Sequence, residues 1–252
     1  MRKKLLALAT GSLLIGSVAQ ADTVLGLYAT VDAWIMESSG SFGDNQSSMQ
    51  EFNLDDDNKV SFSIALEHPI PVLPNLRIRT NDLSTSGDAT LTADFSYGDE
   101  VFSDSTTVAT TFDIQNTDIT LYYEVFDNDV VSFDLGLTGK FLDGEITVAN
   151  EDASLTATES FKGLVPMLYG AVQIGVPATG LSFFGELSAL SIHDSTLQDY
   201  QAGVAYSFVD NLAVDLLVRA GYREFSLELD NLNDVFTDWS FNGPFLGVQA
   251  HF

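Results

Sequence analysis

Only three histidines occur in the chain, His68, His193 and His251, and one of them has a potential nucleophile two residues away. In His193-Asp194-Ser195 the first and third side chains share a face if the segment ends a strand, so His193 could act as base to the Ser195 hydroxyl. No orienting carboxylate can be placed beside the pair, and a histidine in a polar loop needs no catalytic explanation, so no enzyme activity is expected. Asp55-Asp56-Asp57 is the densest acidic run. It lacks the alternating ligands and the glycine of a calcium loop and reads as a solvated loop. No metal site and no cofactor are expected.

More chemistry is carried by charges set at alternate positions in otherwise apolar segments. Asp32, Glu67, Asp118, Glu124, Asp134, Glu186, Asp199 and Asp215 would share an inner face with Arg77, Arg79, Lys140, Arg219 and Arg223. Beyond residue 21 the chain has seven Lys and Arg, the other two being Lys59 and Lys162, so five of seven converge where acids converge. A charge facing lipid would cost about 2–4 kcal/mol near the bilayer midplane, which requires the inward placement on membrane-level strands. Two readings follow: an ion-pair network filling a narrow lumen, or a selective water-filled conduit.

The elements that must hold these charges are strands. Leu25, Leu27, Ala29, Val31, Ala33 and Ile35 alternate with Gly26, Tyr28, Thr30, Asp32 and Trp34, and the same period of two returns at 131–141, 200–208 and 212–222. Strands are expected near 23–36, 59–67, 76–96, 101–126, 130–148, 162–176, 181–192, 198–208, 212–229 and 241–252, with polar inner faces throughout. Tight connections at 127–129, 177–180 and 209–211 alternate with acidic loops at 38–58, 149–160, 193–197 and 230–238. The fold class is therefore all-β, a closed antiparallel transmembrane barrel of ten strands, with eight as the alternative count. Prolines at 69, 71 and 74 cannot donate to a ladder, so 68–75 must leave the sheet as a stiff connection.

Two ends of the chain bear on location. Arg2, Lys3 and Lys4 precede an apolar stretch from Leu5 to Val18 and then Ala19-Gln20-Ala21, the pattern of a secretory signal over residues 1–21 followed by a single barrel domain over 22–252. At the other end Leu246, Val248, Ala250 and Phe252 alternate with Gly247, Gln249 and His251. A terminal aromatic after alternating apolar residues resembles the assembly signal of outer-membrane barrels. That resemblance implies roles for Gly247, Ala250 and Phe252 in recognition by the barrel assembly machinery, with Phe245 a departure from its pattern. The absence of cysteine excludes disulfides, thiolate chemistry and lipoprotein anchoring, and a net charge of -26 excludes nucleic acid as a partner.

The stretch Ala65-Leu66-Glu67-His68-Pro69-Ile70-Pro71-Val72-Leu73-Pro74-Asn75, with Leu121-Tyr122-Tyr123-Glu124 before Asp127-Asn128, resembles an uncharacterised family of Gram-negative outer-membrane β-barrel proteins, the outer-membrane proteins with GlyGly. The resemblance runs over nearly the whole chain after residue 21 and implies location and fold but no activity. The His-x-Ser spacing is also similar to that of outer-membrane lipid A deacylases, without their flanking residues. Omptin proteases share a ten-strand barrel, but no Asp-x-His pair like theirs occurs. The expected function is a non-enzymatic, porin-like envelope or binding protein of the cell outer membrane, in contact with its lipids and lipopolysaccharide. The alternatives are a narrow channel for small solutes or ions and a lipid-modifying hydrolase.

Overall fold

The computed structural model of the protein describes residues 25–43, 49–128, 130–211, 213–232 and 235–252; the expected signal at 1–21 lies outside them. Among the described residues there are fourteen strands: β1 (Gly26–Gly43), β2 (Gln50–Leu54), β3 (Asp57–Glu67), β4 (Asn75–Asp82), β5 (Thr85–Thr90), β6 (Phe95–Tyr97), β7 (Glu100–Phe102), β8 (Thr107–Asp127), β9 (Val131–Asn150), β10 (Thr156–Val176), β11 (Leu181–Ile192), β12 (Ser195–Asp210), β13 (Asp215–Leu232) and β14 (Val235–His251). β6 and β7 form a separate hairpin, and the other twelve form one antiparallel sheet that closes on itself. The circuit runs β1, β3, β4, β8, β9, β10, β11, β12, β13, β14 and back to β1. β2 and β5 continue it past the ends of β3 and β4, pairing with β1, with each other and with β8. Closure leaves no sheet edge, the condition for strands to cross a membrane.

The outer surface carries the band that such a crossing needs. Val31, Ile35, Val60, Ile64, Leu121, Leu135, Leu137, Leu168, Leu187, Val204, Leu246 and Val248 are all exposed. Exposed Tyr123, Phe126, Phe133, Tyr206, Phe208 and Phe252 ring the end with the short turns, and Phe141, Tyr200 and Tyr222 border the other side. The Tyr200 and Tyr222 hydroxyls donate to Glu224 and Asn242, each at 2.5 Å. Beyond that border the outward positions turn polar, as at Glu37, Asp143, Glu145, Glu224 and Asp238.

The inner face changes character at the same level, which corrects the expectation of polar inner faces throughout. On β8, Tyr122, Thr120, Asp118 and Asn116 face inward within the band, followed by Ile114, Phe112 and Val108 beyond it. β9 goes from Thr138 and Lys140 to Ile146 and Val148, and β13 from Arg219 and Arg223 to Phe225 and Leu227. Facing lipid, a strand puts its apolar side out; past the headgroups it faces water, and the same alternation must put its apolar side in. The projecting half thus has an ordinary hydrophobic core built of Trp34, Met36, Phe42, Phe112, Trp239 and Phe241 with their neighbours.

That core also explains why some strand limits differ from the sequence pattern. The run expected at 76–96 divides into β4, β5 and β6, because Asp82 Oδ1 accepts the Ser84 backbone N–H at 2.8 Å and turns the chain. Residues 91–102 fold over the mouth of the barrel, where Leu91, Phe95, Tyr97 and Phe102 are buried against Phe42 and Phe52. Much of the expected loops at 38–58 and 149–160 is strand as well, since their polar residues lie on the water-facing side of the projecting half. Likewise β12 from Ser195, β13 to Leu232 and β14 from Val235 take in most of the loops expected at 193–197 and 230–238. The prolines do leave the sheet: β3 ends at Glu67 and β4 begins at Asn75, whose side chain accepts the His68 N–H at 3.0 Å.

Candidate functional site

Three levels succeed one another down the lumen. The outermost is the aromatic cap just described, in which the Phe42 ring stacks on Phe52 at 4.7 Å and meets Phe112 edge-on at 5.7 Å. The Tyr97 hydroxyl donates to the Ile146 carbonyl across the mouth at 3.4 Å.

Beneath the cap lies a belt of ion pairs. Lys140, 0% exposed, places Nζ 2.8 Å from Asp118 and 3.0 Å from Asp199. Arg223 clasps Asp199 through Nε at 3.0 Å and Nη2 at 2.9 Å, and its Nη1 donates to Asn81 on the facing wall at 2.6 Å. Its guanidinium lies over the Trp34 ring at 4.9 Å, as Lys140 Nζ lies 5.2 Å from the Phe225 ring, so the cap and the belt are packed together. Further along the same belt, Glu186 receives Arg77 at 2.8 Å, Arg79 at 2.6 Å and Gln201 at 2.7 Å. Arg219 Nε lies 3.4 Å from Asp32, with its guanidinium over Phe184 at 4.4 Å. β4 and β11 are four steps apart in the circuit, so the Arg79–Glu186 pair spans the lumen rather than joining neighbours.

Nine of the thirteen charges read from the sequence are therefore joined in ion pairs. The remaining four, Glu67, Glu124, Asp134 and Asp215, form none among the described residues and lie around the third level, an open cavity of about 400 Å³ at the short-turn end. Glu67 accepts from Tyr122 at 2.7 Å and Glu124 from Asn75 at 3.1 Å. Lys59, left off the inner face by sequence reasoning, shares the parity of Ser61 and Ser63, is 11% exposed and pairs with Asp57 at 2.8 Å. Its alternation with Val60 and Phe62 was the available signal. Asn81, Gln201, Tyr122 and Tyr169 were also missed, because uncharged polar residues do not mark a lumen as charges do.

Gly247 pairs in register with Asp32 on one side and Arg219 on the other. A side chain there would collide with Asp32 Oδ1 and the Val31 carbonyl, so only glycine lets these two charges meet across the intervening strand. Ala250 sits between Ala29 and Leu216. Phe252 is exposed and exchanges two backbone hydrogen bonds with Leu27, at 2.9 and 3.1 Å. His193 is exposed at the tip of the turn from β11 to β12, with φ of 55°. Asp55, Asp56 and Asp57 are each engaged separately, by the Ser86 hydroxyl, the Ser38 N–H and Lys59.

No family model and no curated protein matches the chain. Among solved structures it is similar to the outer membrane protease OmpT of Escherichia coli, at 9% identity over 90% of this chain and 97% of that one, with a TM-score of 0.54. It also aligns with the transport unit of the Escherichia coli autotransporter AIDA-I (10% identity, 94% and 93% covered, TM-score 0.39). A third alignment is with Ail, the attachment invasion locus protein of Yersinia pestis (11% identity, 90% and 99% covered, TM-score 0.37). At 9% identity the likeness to OmpT is one of fold. With the closed circuit and the exposed apolar band, it makes the chain an outer-membrane β-barrel.

Proposed function

We propose that this barrel is a non-conducting, non-enzymatic envelope protein that acts by binding at its ends rather than by passing solute through its lumen. The observation that carries the reading is Lys140, fully buried between Asp118 and Asp199 directly beneath the aromatic cap. A conducting path would have to part an apolar core and then a belt of desolvated charges, each of which loses its partners on opening. Of the histidines, His193 stands at an exposed turn, His68 beside the proline segment, and His251 is stacked on Tyr28 at 4.1 Å.

The outer wall serves contact with membrane lipid and, beyond its border, with lipopolysaccharide, where the acidic projecting half would share divalent cations with phosphate groups. The last strand, with Phe252 directly after it, is the segment that the barrel assembly machinery would read during insertion. The membership suggested by residues 65–75 and 121–124 is consistent with this reading and adds no activity to it. Liposomes reconstituted with the protein should show no swelling in small sugars or salts; swelling would replace this reading with that of a narrow channel.

A further inference from the structure

The lumen charges do not cancel level by level, and the remainder has a pattern. Lys140 and Arg223 are matched by Asp118 and Asp199, but Arg77, Arg79 and Arg219 form ion pairs only with Glu186 and Asp32. One positive charge is left at the floor of the open cavity. Arg219, which lines that floor, is 6% exposed, and its Nη2 has no hydrogen-bond partner. The cavity mouth has the opposite excess. Asp134 stands in register opposite Glu124, Glu67 and Asp215 also line the cavity, and one buried oxygen of Asp134 has no partner. Like charges directly opposite on paired strands repel, and a cation bound at the mouth would relieve that repulsion.

The depth from mouth to floor can be read on the wall of β1, β14 and β13. Tyr28, His251 and Asp215 lie in one register row at the mouth, and Asp32, Gly247 and Arg219 in another, four residues deeper on each of the three strands. Four residues of strand rise about 13 Å, or roughly 10 Å along the axis of a tilted barrel. Extended peptide spans about 3.3–3.6 Å per residue, so three residues reach from one row to the other. A cavity of about 400 Å³ lies within the small-ligand range.

We infer that the short-turn cavity binds a short peptide with free ends, its ammonium at the Glu124, Asp134 and Glu67 carboxylates and its carboxylate on the Arg219 guanidinium. This rests on the closed-barrel reading in one respect: a sealed lumen makes the cavity a dead-end pocket. A simple cation would answer only the mouth, and a simple anion would have to pass it.

Isothermal titration of the detergent-solubilised protein with tri-L-alanine, its N-acetyl form and its carboxy-terminal amide tests the assignment. Charge-assisted hydrogen bonds predict that each capped form binds about tenfold or more weakly than the free peptide. Asp134→Asn relieves repulsion, so it should fold; it should weaken tri-L-alanine towards its N-acetyl form while keeping the discrimination against the amide. Arg219→Gln should do the reverse. Equal binding of all three probes, or no binding of tri-L-alanine by the folded barrel, would overturn the site. A barrel that conducts yet discriminates among the probes would overturn only the closed-lumen reading.

Discussion

Lys140 and Asp199, on β9 and β12, meet at 3.0 Å across three steps of the barrel wall, and neither reaches solvent in any useful degree. Asp199 is held at the same time by the Nε and Nη2 of Arg223. The lumen is thereby braced from wall to wall at the level where the apolar cap ends.

Removing one partner from this belt should be costly. Lys140→Met leaves Asp118 without its cation in a dry site, for an expected loss of about 3–5 kcal/mol. The loss should appear as a lower temperature for conversion of the folded, fast-migrating form in unboiled gels. Lys140→Met with Asp118→Asn should recover a large part of it.

Gly247→Ala should act through a different pair. The added methyl group meets Asp32 and the Val31 carbonyl, which forces Asp32 away from Arg219 at a cost of about 1–3 kcal/mol. Deletion of Phe252, by contrast, removes an exposed ring and two backbone hydrogen bonds at the chain end. Its expected signature is a lower outer-membrane level in cells, with the melting of the refolded protein nearly unchanged.

The cap and the belt should prove separable. Phe102, fully buried in the cap, should cost about 3–5 kcal/mol when replaced by Ala, yet the variant should remain non-conducting because the belt beneath is intact. Appearance of conductance in Phe102→Ala alone would show that the belt does not seal.

His193→Ala should leave both stability and the lipid composition of reconstituted vesicles unaltered by mass spectrometry. Release of fatty acid by the wild-type protein, abolished in this variant, would establish a hydrolase.

Period two, closure and the inward charges were legible in the sequence because lipid forces a clean alternation: Val31 out and Asp32 in, Leu137 out and Lys140 in. What misled was the projecting half. There water replaces lipid outside, so Glu145 points out and Ile146 in, and a pattern indistinguishable from that of a soluble strand follows without any break in parity. The hairpin of Phe95 and Phe102 was unreadable for a related reason. Its residues alternate like wall residues, and only the three-dimensional proximity of Phe42 and Phe52 makes them a cap. Which charges pair was equally hidden, since Arg79 and Glu186 are 107 residues apart and meet only through the circumference of the barrel.

Planar-bilayer recording of the purified wild-type protein tests the closed lumen most directly. With Lys140 clamped beneath an intact cap, the expected trace is flat, without unitary steps, at either polarity and in high salt. Regular steps of uniform size, with an ion selectivity that shifts in Arg219→Gln, would contradict the closed lumen and make the barrel a conduit.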